Sequence, residues 1–117
     1  MPEPAEQSIL DTTKKALGID SDYTVFDPEL IMHINSVFAD LHQLAVGPEV
    51  AYAIEDKNNM WSEFLGEKLD INSVKSYIYL RVRLLWDPPA TSFNLTSLER
   101  QAEEFLWRLN IQSEGTV

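Results

Sequence analysis

Four stretches of the chain space their apolar residues as helices do, and the stretch between the second and third does not. Ile9, Leu10, Thr13, Ala16 and Leu17 trace one face of a short first helix. Ser8, with Asp11 three residues on, opens it as a capping-box variant, and Gly18 supplies the left-handed residue that ends helices. The second helix has Asp27 as its N-cap, Pro28 at the first helical position and Glu29 at the positive end of the dipole. Phe26 and Ile31 are spaced for a hydrophobic staple. Leu30, Ile31, Ile34, Val37, Phe38, Leu41, Leu44 and Ala45 then form a wide apolar stripe, which Gly47-Pro48 closes.

The third element reads two ways. Tyr77, Tyr79, Arg81 and Arg83 alternate with Ile78, Leu80, Val82 and Leu84, as in a strand. The longer series Ile71, Val74, Ile78, Val82, Leu85 keeps helical spacing, Asp70 is a good N-cap, and about 16 residues is long for a strand, so a helix is predicted. Its apolar face is broad enough to need cover on both sides. Arg81 and Arg83 cannot share a helical face, so one of them projects toward the acidic half or a partner. Pro88-Pro89 stops this helix, because proline lacks the amide proton and restricts the residue before it. Residues 90–93 turn the chain back, with Trp86 and Phe93 bracketing the turn. The fourth helix starts near Asn94 or Thr96, with Thr96-x-x-Glu99 as a capping box and Leu95, Leu98, Ala102, Phe105, Leu106 and Leu109 buried. Glu104 and Arg108 are spaced as an ion pair. Trp107 falls off the stripe, as a packing filler or as a docking anchor.

Residues 48–69 are less regular. Val50, Tyr52 and Ile54 alternate as in a short strand, residues 56–59 (Asp-Lys-Asn-Asn) form a turn, and Met60 to Leu65 looks like one helical turn stopped by Gly66. Trp61 and Phe64 on so short an element need a partner surface: a lid on this chain's own core, or a neighbouring subunit. The expected architecture is all-α, a small bundle of about four helices with an irregular or β-hairpin insertion at 48–69. Residues 1–7 are expected to be disordered, 8–110 to form one domain, and 111–117, with Asn110, to be a flexible tail.

With 117 residues the chain can bury one modest core. No apolar run reaches the length of a membrane span, and MPEPAEQS lacks the basic-then-apolar order of a secretory signal. The absence of cysteine rules out disulfides, thiolate metal sites and cysteine nucleophiles, and suits a reducing cytoplasm. Net charge is −10, and residues 18–67 hold ten acids against one base, Lys57. Such a surface repels phosphate backbones, so tight nucleic-acid binding is not expected. The charge serves solubility, or makes a surface that DNA passes without sticking. Catalytic signals are thin. His33 and His42 are nine apart and do not converge; Glu29 and His33 are spaced as a surface pair. There is no glycine-rich phosphate loop, and Ser92 and Ser97 lack a histidine at a readable spacing. No enzyme, metal or cofactor is expected.

The order DPELIMHINSVFADLHQLAVGPE, WSEFLG, VKSYIYLRVRLLWDPPATSF, SLERQAEEFLWRLN resembles the head–tail connector (adaptor) proteins of tailed bacteriophages and prophages, over about Ser8 to Asn110. The resemblance implies a helical protomer assembled as a ring, a dodecamer, beneath the portal vertex, at the virion head–tail interface after assembly in the bacterial cytoplasm. The ring would extend the DNA channel and support the next tail-completion protein. It implies that the C-terminal helix or tail engages the portal, which here would involve Trp107, Arg108, Asn110 and Ile111. On that picture Tyr52, Trp61, Phe64, Arg81 and Arg83 are the candidate subunit-interface residues, and Glu55 and Asp56 the candidate channel-facing acids. The competing reading is a monomeric acidic helical module that binds some other protein.

Overall fold

The computed structural model describes residues 4–114, and among these the fold is all-α: α1 (Ile9–Ala16), α2 (Asp27–Gln43), α3 (Ser62–Leu65), α4 (Ile71–Trp86) and α5 (Ser92–Glu114), preceded by a 3₁₀ turn at Pro4–Glu6. The central member is α4. It packs on α5 along its length and on α2 over a second face, while α1 touches both α2 and α4. The core follows from this: Leu30, Ile34, Val37, Phe38 and Leu41 of α2 and Val74, Tyr77, Ile78, Leu80 and Val82 of α4 are buried together, closed by Ile9 and Leu10 and by Ala102 and Leu109. Cover on both sides is what the broad apolar face of α4 required.

Local chemistry sets the helix ends. Ser8 Oγ accepts from the Asp11 N–H at 3.1 Å and Asp70 Oδ2 from the Ser73 N–H at 3.0 Å, so both predicted caps form. Two predicted caps do not. Asp27 is already the first helical residue of α2, because its carboxylate is taken by Lys14; Phe26 stands at the cap with no side-chain hydrogen bond. For α5, Thr91 Oγ1 accepts from the Asn94 N–H at 3.2 Å, which starts the helix at Ser92 and leaves Thr96 inside it. The end of α2 also comes before Gly47-Pro48. The Val46 N–H donates to the Leu41 carbonyl (2.9 Å) and the Ala45 N–H to the His42 carbonyl (3.0 Å), with Ala45 at φ 61°, a Schellman closure built on a non-glycine residue. Val46 and Leu41 are both buried in the same core cluster, the apolar environment that accompanies this motif.

The alternation at Val50, Tyr52 and Ile54 does not become a strand or a hairpin; among the described residues there is only an isolated antiparallel bridge, Ser8 with Met60. The reason lies on α2. The Asn35 amide donates to the Ile54 carbonyl (3.0 Å) and its oxygen accepts from the Ile54 N–H (2.7 Å), so one side chain takes the place of a neighbouring strand. At the termini, order extends further than expected. Gln7 accepts from the Trp61 N–H at 3.2 Å, and Pro4–Glu6 is a 3₁₀ turn; of the expected disordered stretch, residues 1–3 lie outside the described residues. The chain is also helical from Asn110 to Glu114, where a tail was expected. Gln112 Oε1 accepts from the Asp70 N–H (2.9 Å), and Ser113 Oγ donates to the Ala45 carbonyl (2.7 Å). The first contact places the end of α5 beside the start of α4, which makes the pair antiparallel, and the second ties it to the end of α2. Residues 115–117 lie outside the described residues.

Candidate assembly surfaces

The two aromatics of α3 and its entry turn point inward. Trp61 is 1% exposed and its indole N–H donates to Thr12 Oγ1 at 2.9 Å. Phe64 is 2% exposed; its ring centroid lies 4.7 Å from Phe38 and 5.8 Å from Tyr52, and a Cβ on Gly47 would stand 2.5 Å from its edge. Of the two readings of this element, the lid on the chain's own core is the one it takes. Neither ring offers surface to a neighbour, which corrects their place among the candidate interface residues. The physical reason is the apolar core they complete: Phe64 packs against Phe38 at 4.7 Å, and Trp61 belongs to the same buried cluster.

Tyr52 is half-buried at the edge of that aromatic group and donates to Glu63 Oε1 at 2.8 Å. Burial first, then the Glu63 carboxylate, holds the Tyr52 hydroxyl well above its ordinary value. Glu63 shifts the opposite way, below the usual carboxylate range, through hydrogen bonds from the Asn59 amide (2.9 Å) and Tyr52. Asn59 Oδ1 in turn accepts from the Glu55 N–H at 2.7 Å, so one amide organises the turn that displays Glu55 and Asp56 to solvent.

The arginines of α4 diverge as the helix geometry requires. Arg83 donates to the Tyr79 hydroxyl (3.2 Å) and to the Asp87 carbonyl (3.4 Å) at the helix end, and the Tyr79 contact raises its pKa further. Arg81 lies near Tyr77, whose pKa is raised by burial, lowered by Arg81 and raised by Asp40 of α2. The two arginines therefore do not converge on one site. On α5, Trp107 is 65% exposed, Arg108 and Ile111 are exposed and Asn110 is half-buried. Arg108 lies over the Phe105 ring, 5.0 Å from its centroid, rather than in an ion pair with Glu104. Trp107 and Arg108 share a shallow groove of about 420 Å³ with Arg100, Glu103 and Glu104.

The sequence reading missed one feature entirely. Lys14 has no exposed surface, and its ammonium donates to the carbonyls of Ser21 (3.0 Å) and Tyr23 (2.8 Å) and stands 2.8 Å from Asp27 Oδ1. Asp27 Oδ1 is itself buried and has no other polar partner among the described residues. A signal was available: Lys14 falls four residues after Leu10, at the border of the apolar face of α1. The expected pair of Glu29 and His33 does not form; His33 lies edge-on to Trp86 at 6.4 Å, and Trp86 meets Phe26 edge-to-face at 4.7 Å rather than pairing with Phe93 across the turn. Among the described residues no group of three or more His, Asp or Glu side chains could hold a metal ion, and no helix is long and apolar enough to cross a membrane.

What remains is a closed helical body with apolar residues left outside: Val25, Met32, Val50, Leu85, Phe93 and Trp107 are each more than half exposed. Isolated apolar surface residues are ordinary, but a tryptophan and a phenylalanine on one helix are the residue types that dock proteins. No curated protein and no solved structure matches the chain. The family model of phage connector proteins matches residues 9–116, from the first residue of α1 to beyond the last of α5, and the chain belongs to that family.

Proposed function

We propose that this connector forms a ring of identical copies, a dodecamer, below the portal of a tailed phage or prophage, extends the DNA channel and carries the next tail-completion protein. The match to the connector family over nearly the whole chain is the observation that carries this reading. In the ring, Tyr52, Arg81 and Arg83 face neighbouring copies, and Arg81, close to the edge of α2, meets a neighbour's carboxylates. Trp61 and Phe64 act beneath that surface, holding Tyr52 in place. Glu55 and Asp56 stand toward the channel, where carboxylates give passing DNA no counterions to release and so no adhesion. The end of α5, Asn110 and Ile111, turns to the portal; Trp107 and Arg108 stand one turn before it. No reaction is catalysed in this role.

Electron microscopy of the chain mixed with its portal protein tests the proposal. A ring stacked coaxially on the portal is expected. A chain that stays monomeric and does not bind the portal at high protein concentration would refute it, and would leave the monomeric interaction module standing.

A further inference from the structure

The connection between α1 and α2 is braced more heavily than a linker needs to be. The buried Lys14 ammonium donates to the Ser21 and Tyr23 carbonyls of this loop and stands 2.8 Å from Asp27 Oδ1 at its exit. The Asp22 N–H turns back on Asp20 Oδ1 at 3.0 Å, and the Tyr23 ring stands edge-on to Phe26 at 5.6 Å. Desolvating an ammonium is costly unless it is paired and hydrogen-bonded, so the two carbonyls and the carboxylate around Lys14 specify the loop's shape. What that shape holds out to solvent is Val25, 67% exposed, and Tyr23, with Asp20 and Asp22 beside them.

On α5 the pattern is the reverse. Trp107 is the exposed apolar residue, and Arg100 and Arg108 flank it in the groove. At 3.6 residues per turn, Arg100, Trp107 and Ile111 fall within about 40° of one another, so they form a line along the helix. The two surfaces cannot meet within one chain. The loop is anchored, through Phe26, edge-to-face against Trp86 at the last turn of α4. Since α5 runs back antiparallel from Ser92, Trp107 lies about 22 Å further along the bundle, at about 1.5 Å per residue.

We propose that the Tyr23–Val25 loop of one copy seats in the Trp107 groove of the next, with Asp20 and Asp22 toward Arg100 and Arg108. This rests on the ring reading and names its copy-to-copy contact. Charge fixes the direction. Residues 18–67 carry ten acids and one base, whereas residues 68–117 carry six of each. Two acidic halves repel, so a two-fold contact through that half is disfavoured, while an acidic half against a balanced half is not. Two different patches at opposite ends make a head-to-tail contact, which propagates and closes into a ring when the rotation permits. Glu103 and Glu104, also in the groove, repel an acidic loop that lands away from the two arginines, and so set its register.

The chain has no cysteine, which makes a crosslinking test clean. A Val25→Cys/Glu103→Cys double variant cannot close a disulfide within one copy, since the Cα atoms of a disulfide lie within about 7 Å of each other. Oxidised under conditions where light scattering shows assembly, with portal added if needed, it is expected to give a covalent ladder beyond dimers, while each single variant stops at the dimer. Trp107→Ala and Asp22→Arg, both at exposed positions, are expected to raise the concentration needed for assembly by about tenfold with unchanged helical circular dichroism. Assembly without a ladder and without a response to either substitution would overturn this contact and leave the connector reading intact. No assembly at any concentration, with or without portal, would remove both.

Discussion

Gly47 and Gly18 separate two costs that are usually confounded. Both have positive φ, 104° and 82°, so alanine is strained at either position. At Gly18 an added Cβ meets nothing within 4 Å, so Gly18→Ala should cost the backbone strain alone, about 1 kcal/mol. At Gly47 the same Cβ would lie 2.5 Å and 2.7 Å from two ring carbons of Phe64. Phe64 is 2% exposed and hemmed in by Phe38 and Tyr52, so its ring cannot swing aside without displacing the aromatic group. Overpacking of that kind adds about 1–3 kcal/mol. Gly47→Ala should therefore destabilise by about 2–4 kcal/mol in all, measured by urea unfolding of the isolated chain beside Gly18→Ala. Equal losses for the two variants would refute the reasoning, because the Phe64 ring would then not be held against Gly47 in solution. Phe64 would in that case return to the set of residues free to face a neighbour.

Lys14→Met removes a buried cation and leaves Asp27 Oδ1 without its partner, so a loss of about 2–4 kcal/mol is expected, reduced from the fully buried case because the Asp27 side chain is 22% exposed; urea unfolding of K14M and K14M/D27N, with the double variant recovering part of the loss, checks it. Asn35→Leu strips both hydrogen bonds from the Ile54 backbone at part-buried positions and should cost about 2–4 kcal/mol, with faster amide exchange at Ile54. Thr12→Val leaves the buried Trp61 indole N–H unpaired and should cost about 1–3 kcal/mol, readable in unfolding followed by tryptophan fluorescence. The depressed pKa of Glu63 means that its contribution is present above the ordinary carboxylate value of 4.5 and is lost as the pH falls through the lower folded value, so Glu63→Gln should flatten the acid limb of the stability curve below about pH 4.5 and leave its slope at neutral pH unchanged.

The helical core was legible because it depends on spacing. Leu30, Ile34, Val37, Phe38 and Leu41 of α2 and Val74, Ile78 and Val82 of α4 are buried where the 3.6-residue period puts them, whereas Leu44, Ala45 and Leu85 at the helix ends are exposed, and the long window correctly outweighed the local alternation at 77–84. What sequence could not supply was the partner of each polar group. Asp27 reads as an N-cap until a lysine thirteen residues earlier claims its carboxylate. Tyr52 and Ile54 read as a strand until Asn35, nineteen residues before Ile54, supplies the pairing. Gln112 and Ser113 read as tail until the starts and ends of other helices offer them an N–H and a carbonyl. Each miss has one cause: a polar contact across the fold, an ion pair at Asp27 and hydrogen bonds at the others, decided between local options that periodicity leaves nearly equal in energy.

The same long-range contacts bear on how the chain meets its neighbours. A connector whose C-terminal turn were loose would have to order it on docking, and the entropy of ordering would subtract from affinity. Here the last turns of α5 are already fastened by Gln112 and Ser113, and the loop that carries Val25 is fastened by Lys14. Both candidate contact surfaces are thus preorganised in the lone subunit. In the proposed ring, contact between copies would then have little ordering to do, and its strength would rest on the few exposed side chains themselves. Such an interface can be weak in an isolated pair and still hold in a closed ring, because every copy is held at two sides and the last contact forms within one assembly, at high effective concentration. Loosening the C-terminal clasp by Ser113→Ala should therefore lower both folding stability and, in the proposed assembly, portal binding; weaker portal binding with unchanged folding stability would mean that the turn orders only on docking.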